Sequence, residues 1–361
     1  MNVDFLIIGQ GISGTFLSYY LNKQGKSFLV VDKSDPHSPS RIAAGIINPV
    51  TGRRMVTVWM AEQVLPFAWN AYHGMGVDLG INAISQRNIV DFFPNPFMRE
   101  NFLKRLNEGN EHIRAFDETD RFSSFFNYDF GCGEIIPAYT AHLESLLPAW
   151  RNKLKQQQRL LEEDFDIGKM IADPSSIKWR KMDGETVNAG KIIFCDGAAG
   201  FSNPYFRQLP FAPNKGEAII LEIPGLPATN IFKKSVLLAP LQKEHNLYWC
   251  GSNYAWDFTD TKPTGSFKEA TVAALKEWLK VPFTIVDHYA GVRPATLERR
   301  PFVGLHPHYP SIGILNGMGT KGCSLAPFFA NQLVNHLLNG TDIIPEASIA
   351  RFQRILAPKT I

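Results

Sequence analysis

The sequence is poor in the residues and spacings that build metal centres and disulfide frameworks. It has four cysteines among 361 residues, and they are scattered without a C-x-x-C pair: Cys132, Cys195, Cys250 and Cys323. We therefore expect buried, reduced thiols in a reducing compartment and no metal site. His306 and His308 flank a proline and are expected to be surface histidines rather than metal ligands.

The sequence also lacks a marked excess of charge and any long apolar run. Its 37 basic and 34 acidic side chains give a formal charge of +3, which is too small to indicate a nucleic acid or a membrane surface as a partner. No apolar stretch is long enough to span a bilayer, and no charged leader precedes the first apolar run. The motifs H-E-x-x-H and G-x-S-x-G and the P-loop are missing too. We expect a cytoplasmic globular protein of two domains.

The chain does have a glycine-rich turn close to its N-terminus. The apolar run Phe5–Ile8 predicts a buried parallel strand, and Gly9–Gly14 has the pattern G-x-G-x-x-G. A helix is predicted over Ile12–Lys23 and a second strand over Ser27–Val31, and Asp32 follows that strand. The order of strand, glycine turn, helix, strand and acid is typical of a site for an ADP-containing dinucleotide.

Each residue of this pattern has a physical role. Gly9 permits the tight turn, Gly11 lets the backbone approach a pyrophosphate, and Gly14 lets helix and strand pack closely. Asp32 can accept both hydroxyls of an adenosine ribose, which argues against a 2′-phosphate and therefore against NADP. The alternative is a glycine-rich turn followed by a solvated aspartate.

A second glycine turn lies near the C-terminus. It runs from Gly317 to Gly322 with the same spacing, after the apolar run Ile312–Leu315 and before an apolar helix predicted over Leu325–Leu338. Asp342 follows this helix and not a second strand, so it is badly placed for a ribose. We interpret the turn as a second contact on the same cofactor, with a plain glycine turn as the alternative.

The sequence resembles the D-amino-acid oxidase and glycine oxidase family of flavoproteins at both ends and through much of its middle. The stretches that carry the resemblance are Gly9–Gly14 with Asp32, Ala43–Pro49, Ile192–Ala198, and Gly291–Gly304 with the Gly317–Gly322 turn and Leu325–Pro327. The resemblance implies FAD as the cofactor. Covalent attachment is not expected, because no cysteine lies in the Gly291–Gly304 stretch and Cys323 only follows the last glycine.

The resemblance assigns the two glycine turns to the two ends of FAD. Gly9–Gly14 would hold the pyrophosphate, and the loop around Ala44 and Gly45 would run along the flavin. The C-terminal turn, with Lys321 unless that lysine is solvated, would face the pyrimidine end of the ring. The residues expected to bind the cofactor are Gly9, Gly11, Ile12, Ser13, Gly14, Asp32, Lys33, Ala43, Ala44, Gly45, Gly197, Gly317, Gly319, Thr320, Lys321 and Gly322.

Arg293 is the expected substrate-binding residue. In the family, the arginine of the G-x-R-P stretch pairs with the substrate carboxylate, which a guanidinium binds bidentately, and Arg293 is the matching residue. The implied reaction oxidises a C–N bond of a small amino acid or amine with a carboxylate. A hydride passes to flavin N5, the imine is hydrolysed, and oxygen or another acceptor takes the electrons. The alternative role for Arg293 is a structural one, in a salt bridge at a domain boundary.

Two other functions stay open. A related branch of the family oxidises a modified tRNA base, which the basic run Arg151–Arg159 supports weakly, so nucleic acid is not the expected partner. The second open function is that of a flavin-binding protein without amine oxidase activity. It stays open because Leu237 and Leu238 stand where the family often has a pocket tyrosine. The aromatic residues that can replace this tyrosine are Tyr254, Trp256 and Tyr289.

The predicted fold is α/β, with a discontinuous Rossmann-type FAD-binding domain and an α+β substrate-binding domain that has a mainly antiparallel sheet. The FAD-binding domain is expected at residues 1–80, 140–205 and 290–361, and the substrate-binding domain at 81–139 and 206–289. Strands of the second domain are predicted at 218–223, 235–239 and 247–251. Ser266–Glu269 has the pattern of a capping box that opens a helix.

Overall fold

The computed structural model describes residues 1–118, 120–242 and 246–357. In these ranges the helices are α1 (Ile12–Lys23), α2 (Pro39–Ile42), α3 (Ala61–Leu79), α4 (Pro96–Asn107), α5 (Leu143–Gln156), α6 (Gly265–Trp278) and α7 (Gly322–Asn339). The strands are β1 (Asn2–Ile8), β2 (Phe28–Val31), β3 (Ile46–Ile47), β4 (Val50–Thr51), β5 (Val56–Thr57), β6 (Ile84–Gln86), β7 (Ile89–Phe92), β8 (Ile113–Ala115), β9 (Cys132–Ile135), β10 (Tyr139–Ala141), β11 (Leu160–Leu161), β12 (Met170–Ala172), β13 (Ile177–Arg180), β14 (Thr186–Phe194), β15 (Asn214–Glu222), β16 (Ile231–Lys233), β17 (Leu237–Pro240), β18 (Leu247–Gly251), β19 (Thr284–Arg293), β20 (Phe302–His306) and β21 (Tyr309–Asn316).

The contacts between residues divide the chain into two units. The first unit consists of Met1–Arg41, Leu146–Asn214 and Val292–Ile361, and the second of Ile42–Ser145 and Lys215–Gly291. Residues 42–80 are in the second unit, whereas the domain bounds expected from the sequence place them in the first. In both divisions the first unit is assembled from three separate segments of the chain.

The first unit contains a sheet with a parallel centre. β1 pairs in parallel with β2 and with β14, and β14 pairs in parallel with β21. The strand predicted at Phe5–Ile8 is buried, with Leu6 and Ile7 fully inaccessible. The predicted helix over Ile12–Lys23 is α1, and it packs against α7. The predicted Rossmann-type arrangement of strands and helices is confirmed.

The carboxyl ends of the parallel strands lie at one edge of this sheet. Ile8 is in register with Val31 on one side and with Phe194 on the other, and Phe194 is in register with Ile314. Ligands of open α/β sheets bind outside the carboxyl ends of the strands. Both glycine turns begin at this carboxyl edge, and Asp32 lies there directly after β2.

The second unit contains an eight-stranded sheet in the order β19-β15-β18-β17-β16-β7-β9-β8. β16 and β7 pair in parallel, whereas β15 with β18, β17 with β16 and β18, and β9 with β7 and β8 are antiparallel. The predicted, mainly antiparallel sheet is therefore confirmed. Its apolar core includes four aromatic rings, those of Phe92, Phe126, Phe232 and Trp278.

The N-terminus of α6 differs from the prediction in its capping residue. The cap is Thr264 and not Ser266, and the Thr264 hydroxyl oxygen accepts the N–H of Phe267. Glu217 explains the shift, because its buried carboxylate accepts the Thr264 N–H at 2.6 Å and the Thr264 hydroxyl at 2.8 Å. A buried carboxylate needs such partners, and the N-terminus of a helix supplies them.

His306 is buried, with 3 % of its surface exposed, so its predicted surface position is wrong. Its Nδ1 accepts the N–H of His308, and its ring lies 5.6 Å from that of Phe206 and 4.9 Å from that of Tyr309, between centroids. Burial, and next the neighbouring His308, lowers the pKa of His306 to about 4. The ring is therefore neutral at physiological pH and belongs to the apolar core.

No helix within the described ranges is long and apolar enough to cross a membrane. The four cysteines, all of them in those ranges, form no disulfide with one another. Cys195 and Cys250 are buried as expected, whereas Cys132 and Cys323 are only partly buried. Burial raises the pKa of Cys250 to about 12, so this thiol stays protonated and acts as a small apolar group.

We expect Phe302→Ala to lower the free energy of unfolding by roughly 3–5 kcal/mol. Phe302 is fully buried in the core of the first unit, with its ring 5.0 Å from that of Phe211 and 5.5 Å from that of Phe352. Phe97 is 59 % exposed, so Phe97→Ala is the matched control and should change stability by less than about 0.5 kcal/mol. Urea denaturation followed by circular dichroism measures both variants. Equal midpoints would contradict the assignment of Phe302 to the core.

Candidate active site

The first glycine turn is shaped by contacts that leave no room for side chains. Gly9 has a φ of +98°, and a Cβ there would lie 2.5 Å from the carbonyl oxygen of Cys195. A Cβ on Gly14 would lie 1.8 Å from the carbonyl oxygen of Gly9. On Gly11, the N-cap of α1, a Cβ would meet only Ser40 among the described residues. Packing therefore requires Gly9 and Gly14, whereas at Gly11 a Cβ would lie 3.1 Å from the hydroxyl oxygen of Ser40.

Asp32 accepts hydrogen bonds from three groups at the end of β2. Its Oδ2 accepts the N–H of Gln10 at 2.8 Å, and its Oδ1 accepts the N–H of Ser34 at 2.8 Å and Nη1 of Arg151 at 2.7 Å. Burial raises the pKa of Asp32, but these partners and the charge of Arg41 outweigh it and hold the pKa below its ordinary value. A carboxylate has about four acceptor positions, so the ionised Asp32 keeps capacity for a further donor such as a ribose hydroxyl.

Arg151 is a residue of this site that the sequence patterns did not identify. It lies in α5 with its side chain 9 % exposed, and its Nη1 donates to the side-chain oxygen of Gln10 at 3.1 Å as well as to Asp32. Its Nη2 donates to the Asp32 carbonyl oxygen at 3.0 Å and to Glu162 at 2.8 Å. Because Arg151 is buried, the basic run Arg151–Arg159 is not one exposed basic surface.

The second glycine turn is hydrogen-bonded to the segment that carries Arg293. The N–H of Gly319 donates to the carbonyl oxygen of Pro294 at 3.0 Å. Gly317 and Gly319 have φ values of +77° and +55°, and a Cβ on Gly317 would lie 2.8 Å from Cγ2 of Thr296. Both the backbone conformation and the close approach to this segment therefore require glycine.

The two glycine turns lie next to each other. A Cβ on Gly322 would lie 3.4 Å from Cγ2 of Ile12, and the helices that begin at these residues, α7 and α1, pack together. The hydroxyl oxygen of Ser40 accepts the Ile12 N–H at 3.0 Å, and Ser13 is buried in the same turn. In the described structure neither N-cap residue makes a side-chain capping hydrogen bond. Two helix N-termini that favour negative charge therefore meet at the carboxyl edge.

Asp196 and Asn316 connect two strand ends between the turns. Nδ2 of Asn316 donates to Oδ1 of Asp196 and to the carbonyl oxygen of Gly197, both at 2.9 Å. The side-chain oxygen of Asn316 accepts the N–H of Gly317 at 2.7 Å. Burial raises the pKa of Asp196 to about 6. Gly197 has a φ of +54°, and a Cβ there would meet none of the described residues within 4 Å, so its backbone is open to a ligand.

Lys321 is the N-cap residue of α7 and is partly buried, whereas the preceding Thr320 is exposed. Burial, and next the charges of Arg300 and Arg299, lowers the pKa of Lys321 to about 8. An ordinary lysine has a pKa of about 10.4. The charge of Lys321 therefore changes close to physiological pH.

Arg293 is the last residue of β19 and is held by contacts within the first unit. Its Nη1 donates to Oδ1 of Asn214, a residue 2 % exposed, at 2.7 Å. The N–H of Ala212 donates to the carbonyl oxygen of Ala295 at 2.8 Å. Pro294, which lies between Arg293 and Ala295, accepts the N–H of Gly319 through its carbonyl oxygen. The backbone that carries the guanidinium is therefore fixed on two sides.

The other predicted cofactor residues have local partners. Lys33 is at the surface, with its side chain 59 % exposed and paired with Asp164 at 3.1 Å. The predicted loop residues Ala43, Ala44 and Gly45 belong to the second unit. Gly45 has a φ of +74°, and a Cβ there would lie 1.9 Å from a carbonyl oxygen of β10, so packing within that unit requires glycine.

The candidate pocket aromatics lie largely at the surface of the second unit. Tyr254 is 57 % and Trp256 59 % exposed, and the hydroxyl of Tyr289 donates to Asp287. Leu238, at the position where a tyrosine was sought, is fully buried in the core. These contacts do not identify a replacement for the tyrosine.

A parallel sheet with a glycine-rich turn and an acidic residue at its carboxyl edge is the arrangement of dinucleotide-binding proteins. The profile of the FAD dependent oxidoreductase family, DAO, matches residues 4–335, and the chain belongs to this family. It is therefore an FAD-dependent oxidoreductase of the class that includes amino-acid oxidases and dehydrogenases, and FAD is its cofactor. The residues fit FAD, because the N-termini of α1 and α7, the ionised Asp32 and the open backbone at Gly197 lie along one edge.

Individual relatives agree with this assignment. The glycine oxidase of Bacillus subtilis (strain 168) is 23 % identical over 362 residues, which cover 93 % of both chains. The tRNA 5-methylaminomethyl-2-thiouridine biosynthesis bifunctional protein of Caulobacter vibrioides is 26 % identical over 192 residues, 50 % of this chain and 31 % of that protein. The crystal structure of glycine oxidase from Geobacillus kaustophilus has the same fold, with a TM-score of 0.79 at 17 % identity over 97 % of this chain and 98 % of that chain.

We expect Arg151→Gln to raise the Kd for FAD about tenfold to a hundredfold, because it removes the charged partner that holds Asp32 at the carboxyl edge. Lys153→Gln is the matched control, since Lys153 is an exposed basic residue of the same helix. Titration of the apoprotein with FAD, followed by flavin fluorescence, gives both constants. If the two variants bind FAD equally well, Arg151 has no part in holding the cofactor.

Proposed function

We propose that the enzyme oxidises the C–N bond of a small amino acid, or of another small amine that carries a carboxylate. The observation that supports this most is the place of Arg293, whose neighbour Pro294 is hydrogen-bonded to Gly319 of the second glycine turn. A guanidinium binds a carboxylate through two parallel hydrogen bonds. Arg293, the proposed substrate-binding residue, thus directly precedes a residue that is hydrogen-bonded to this turn.

In this proposal the protein contributes binding and orientation more than acid–base chemistry. Arg293 binds the substrate carboxylate and so directs the hydrogen on the amine carbon. The FAD that the two glycine turns would hold would supply the two-electron acceptor for this hydride, with oxygen or another acceptor as the final oxidant. The amine must be neutral, because its lone pair assists departure of the hydride. Water hydrolyses the resulting imine, so no dedicated protein base is required.

The proposed cofactor contacts follow the two turns, without a covalent bond to the protein. Gly9–Gly14 hold the pyrophosphate and Asp32 the adenosine ribose. Gly317–Gly322, with Lys321, face the pyrimidine end of the flavin, where a helix N-terminus and a positive charge favour electron uptake. The backbone at Gly197 and the loop at residues 43–45 complete the proposed contacts.

Oxidation of a modified tRNA base is the second candidate, and the match to the Caulobacter vibrioides protein is the observation that favours it. Recognition of tRNA needs an exposed basic surface. Arg151, the first residue of the basic run, is buried beside Asp32 instead. We therefore rank the small carboxylate substrate first.

We expect at least one of glycine, sarcosine, proline and the D-amino acids to bleach the bound FAD under anaerobic conditions. Arg293→Leu should raise the half-saturating substrate concentration roughly 30-fold or more while the flavin stays bound, because loss of one partner of a hydrogen-bonded charge pair costs about 2–5 kcal/mol. Arg207→Leu removes an exposed arginine of the same unit and should leave this constant unchanged.

Two results would count against the proposal in different ways. If every compound of the panel leaves the flavin oxidised, the proposal of an amino-acid substrate is wrong. Bleaching by a modified tRNA would then support the second candidate function. Loss of FAD from the Arg293→Leu protein would instead give Arg293 a role in holding the cofactor.

Lys321 gives a prediction that depends on pH. Its pKa is lowered to about 8, so the side chain is charged at pH 7 and neutral at pH 9.5. Lys321→Gln should therefore lower the midpoint potential of bound FAD by roughly 30 mV at pH 7, since a nearby positive charge favours the reduced ring. The difference from the unmodified enzyme should vanish at pH 9.5, where both side chains are neutral.

Lys321→Arg is the control for this effect, because arginine keeps its charge across the whole range. Its potential should match that of the unmodified enzyme at pH 7 and exceed it at pH 9.5. Dye-equilibrated reductive titrations at the two pH values measure all three proteins. A difference between Lys321→Gln and the unmodified enzyme that is the same at both pH values would not come from the lysine charge.

A further inference from the structure

Trp249 of β18 is a partly buried aromatic residue that is bonded to the backbone just before residues 43–45. Its Nε1 donates to the carbonyl oxygen of Ile42 at 2.8 Å. The two residues are 207 positions apart in the sequence, so the fold of the second unit and not a local turn brings them together. The ring also packs against the apolar cluster that contains Ala44. Trp249 therefore lies beside the loop for which we propose a contact with the flavin.

The indole extends along β18 over a glycine. Side chains two positions apart on a strand share a face, so Trp249 and Gly251 lie on the same face of the sheet. A Cβ on Gly251 would lie 2.8 Å from Cη2 of Trp249, which means that the indole covers this position. Gly251 is in register with Leu237 of β17, and Leu237 packs against the same apolar cluster as Trp249. The indole thus supplies an aromatic ring beside β17, a strand with no aromatic residue of its own.

The two faces of these strands differ in their exposure. Leu238, Tyr248 and Cys250 alternate with the residues above, and all three are buried in the core of the second unit. Trp249 keeps part of its surface exposed, although the backbone satisfies its N–H. An indole that is anchored in this way loses little further conformational entropy when a ligand contacts it. The ring is therefore a fixed apolar surface at the loop of residues 43–45.

We propose that Trp249 is a specificity-determining residue, whose indole limits the space beside the flavin to substrates with a small side chain. This inference rests on the proposed function, including the contact of residues 43–45 with the flavin. It goes further in assigning the size limit of the substrate to one aromatic ring. A larger substrate is excluded because closely packed groups make room only at a cost in free energy.

Two carboxylates of different size test this inference on the FAD-loaded enzyme. Acetate and phenylacetate carry the same charged group and differ by one phenyl ring. Titration of each compound against the visible spectrum of bound FAD gives its Kd. The variants are Trp249→Val, which removes the ring, and Trp249→Phe, which keeps a smaller ring without the N–H.

Trp69→Val is the matched control. Trp69 is also a partly buried tryptophan of the second unit, but it lies in α3 with its ring 4.9 Å from that of Tyr139. The ratio of FAD to protein and the circular dichroism spectrum check that each variant is folded and loaded.

We expect the unmodified enzyme to bind acetate more tightly than phenylacetate. Trp249→Val should lower the Kd for phenylacetate roughly tenfold or more and change the Kd for acetate less than about threefold, because only the larger compound needs the space of the indole. Trp249→Phe should shift the ratio of the two constants in the same direction by a smaller factor. Trp69→Val should leave the ratio unchanged.

The possible failures are distinguishable. If neither carboxylate binds the unmodified enzyme and the panel of amines leaves its flavin oxidised, the proposed function fails. If acetate binds but Trp249→Val has the same ratio of constants as the unmodified enzyme, only the role of Trp249 is overturned, and its indole merely holds the backbone at Ile42. An equal shift in Trp69→Val would also overturn it, as a general effect on the fold. Should Trp249→Val fail to fold or to bind FAD, the ratio measured with Trp249→Phe decides.

Discussion

The parallel pairing of β14 with β1 on one side and with β21 on the other joins three distant segments of the chain in one sheet. Its register aligns the strand ends, and the carboxyl edge depends on that alignment. The Gly9 turn lies against Cys195 only because β1 and β14 end together, and Asn316 reaches Asp196 only because β21 ends beside them. A slip of one residue would reverse the faces of the strand and separate both contacts.

Two arginines of the first unit donate to acceptors of different charge. Arg151 is buried between acceptors that include two carboxylates, so its charge is used inside the protein to hold Asp32. One hydrogen bond of Arg293 goes to the amide oxygen of Asn214, an acceptor that brings no negative charge of its own. The two hydrogen bonds have the same length of 2.7 Å, so they differ in the chemistry of the acceptor and not in the distance to it.

The parts of this structure that follow from local patterns could be predicted from the sequence. The limits of α1, the glycine turns and the antiparallel sheet depend on periodicity and on backbone conformation, which neighbouring residues report. Arg151 and Asn214 could not be identified, because their partners are 119 and 79 positions away. The same reason accounts for the cap of α6, which Glu217 on another strand determines, and for His306, whose proline neighbour indicated a loop although its ring packs in the core.

The order of segments in the first unit has a consequence for biosynthesis. Its sheet takes β1 from the start of the chain, but β21 and α7 lie at positions 309–339. A ribosome delivers these elements last, so a growing chain carries the complete G-x-G-x-x-G pattern long before the second turn can close beside it. A fragment that stops before β21 therefore keeps the first glycine turn but lacks the strand that pairs with β14 and the helix that packs against α1.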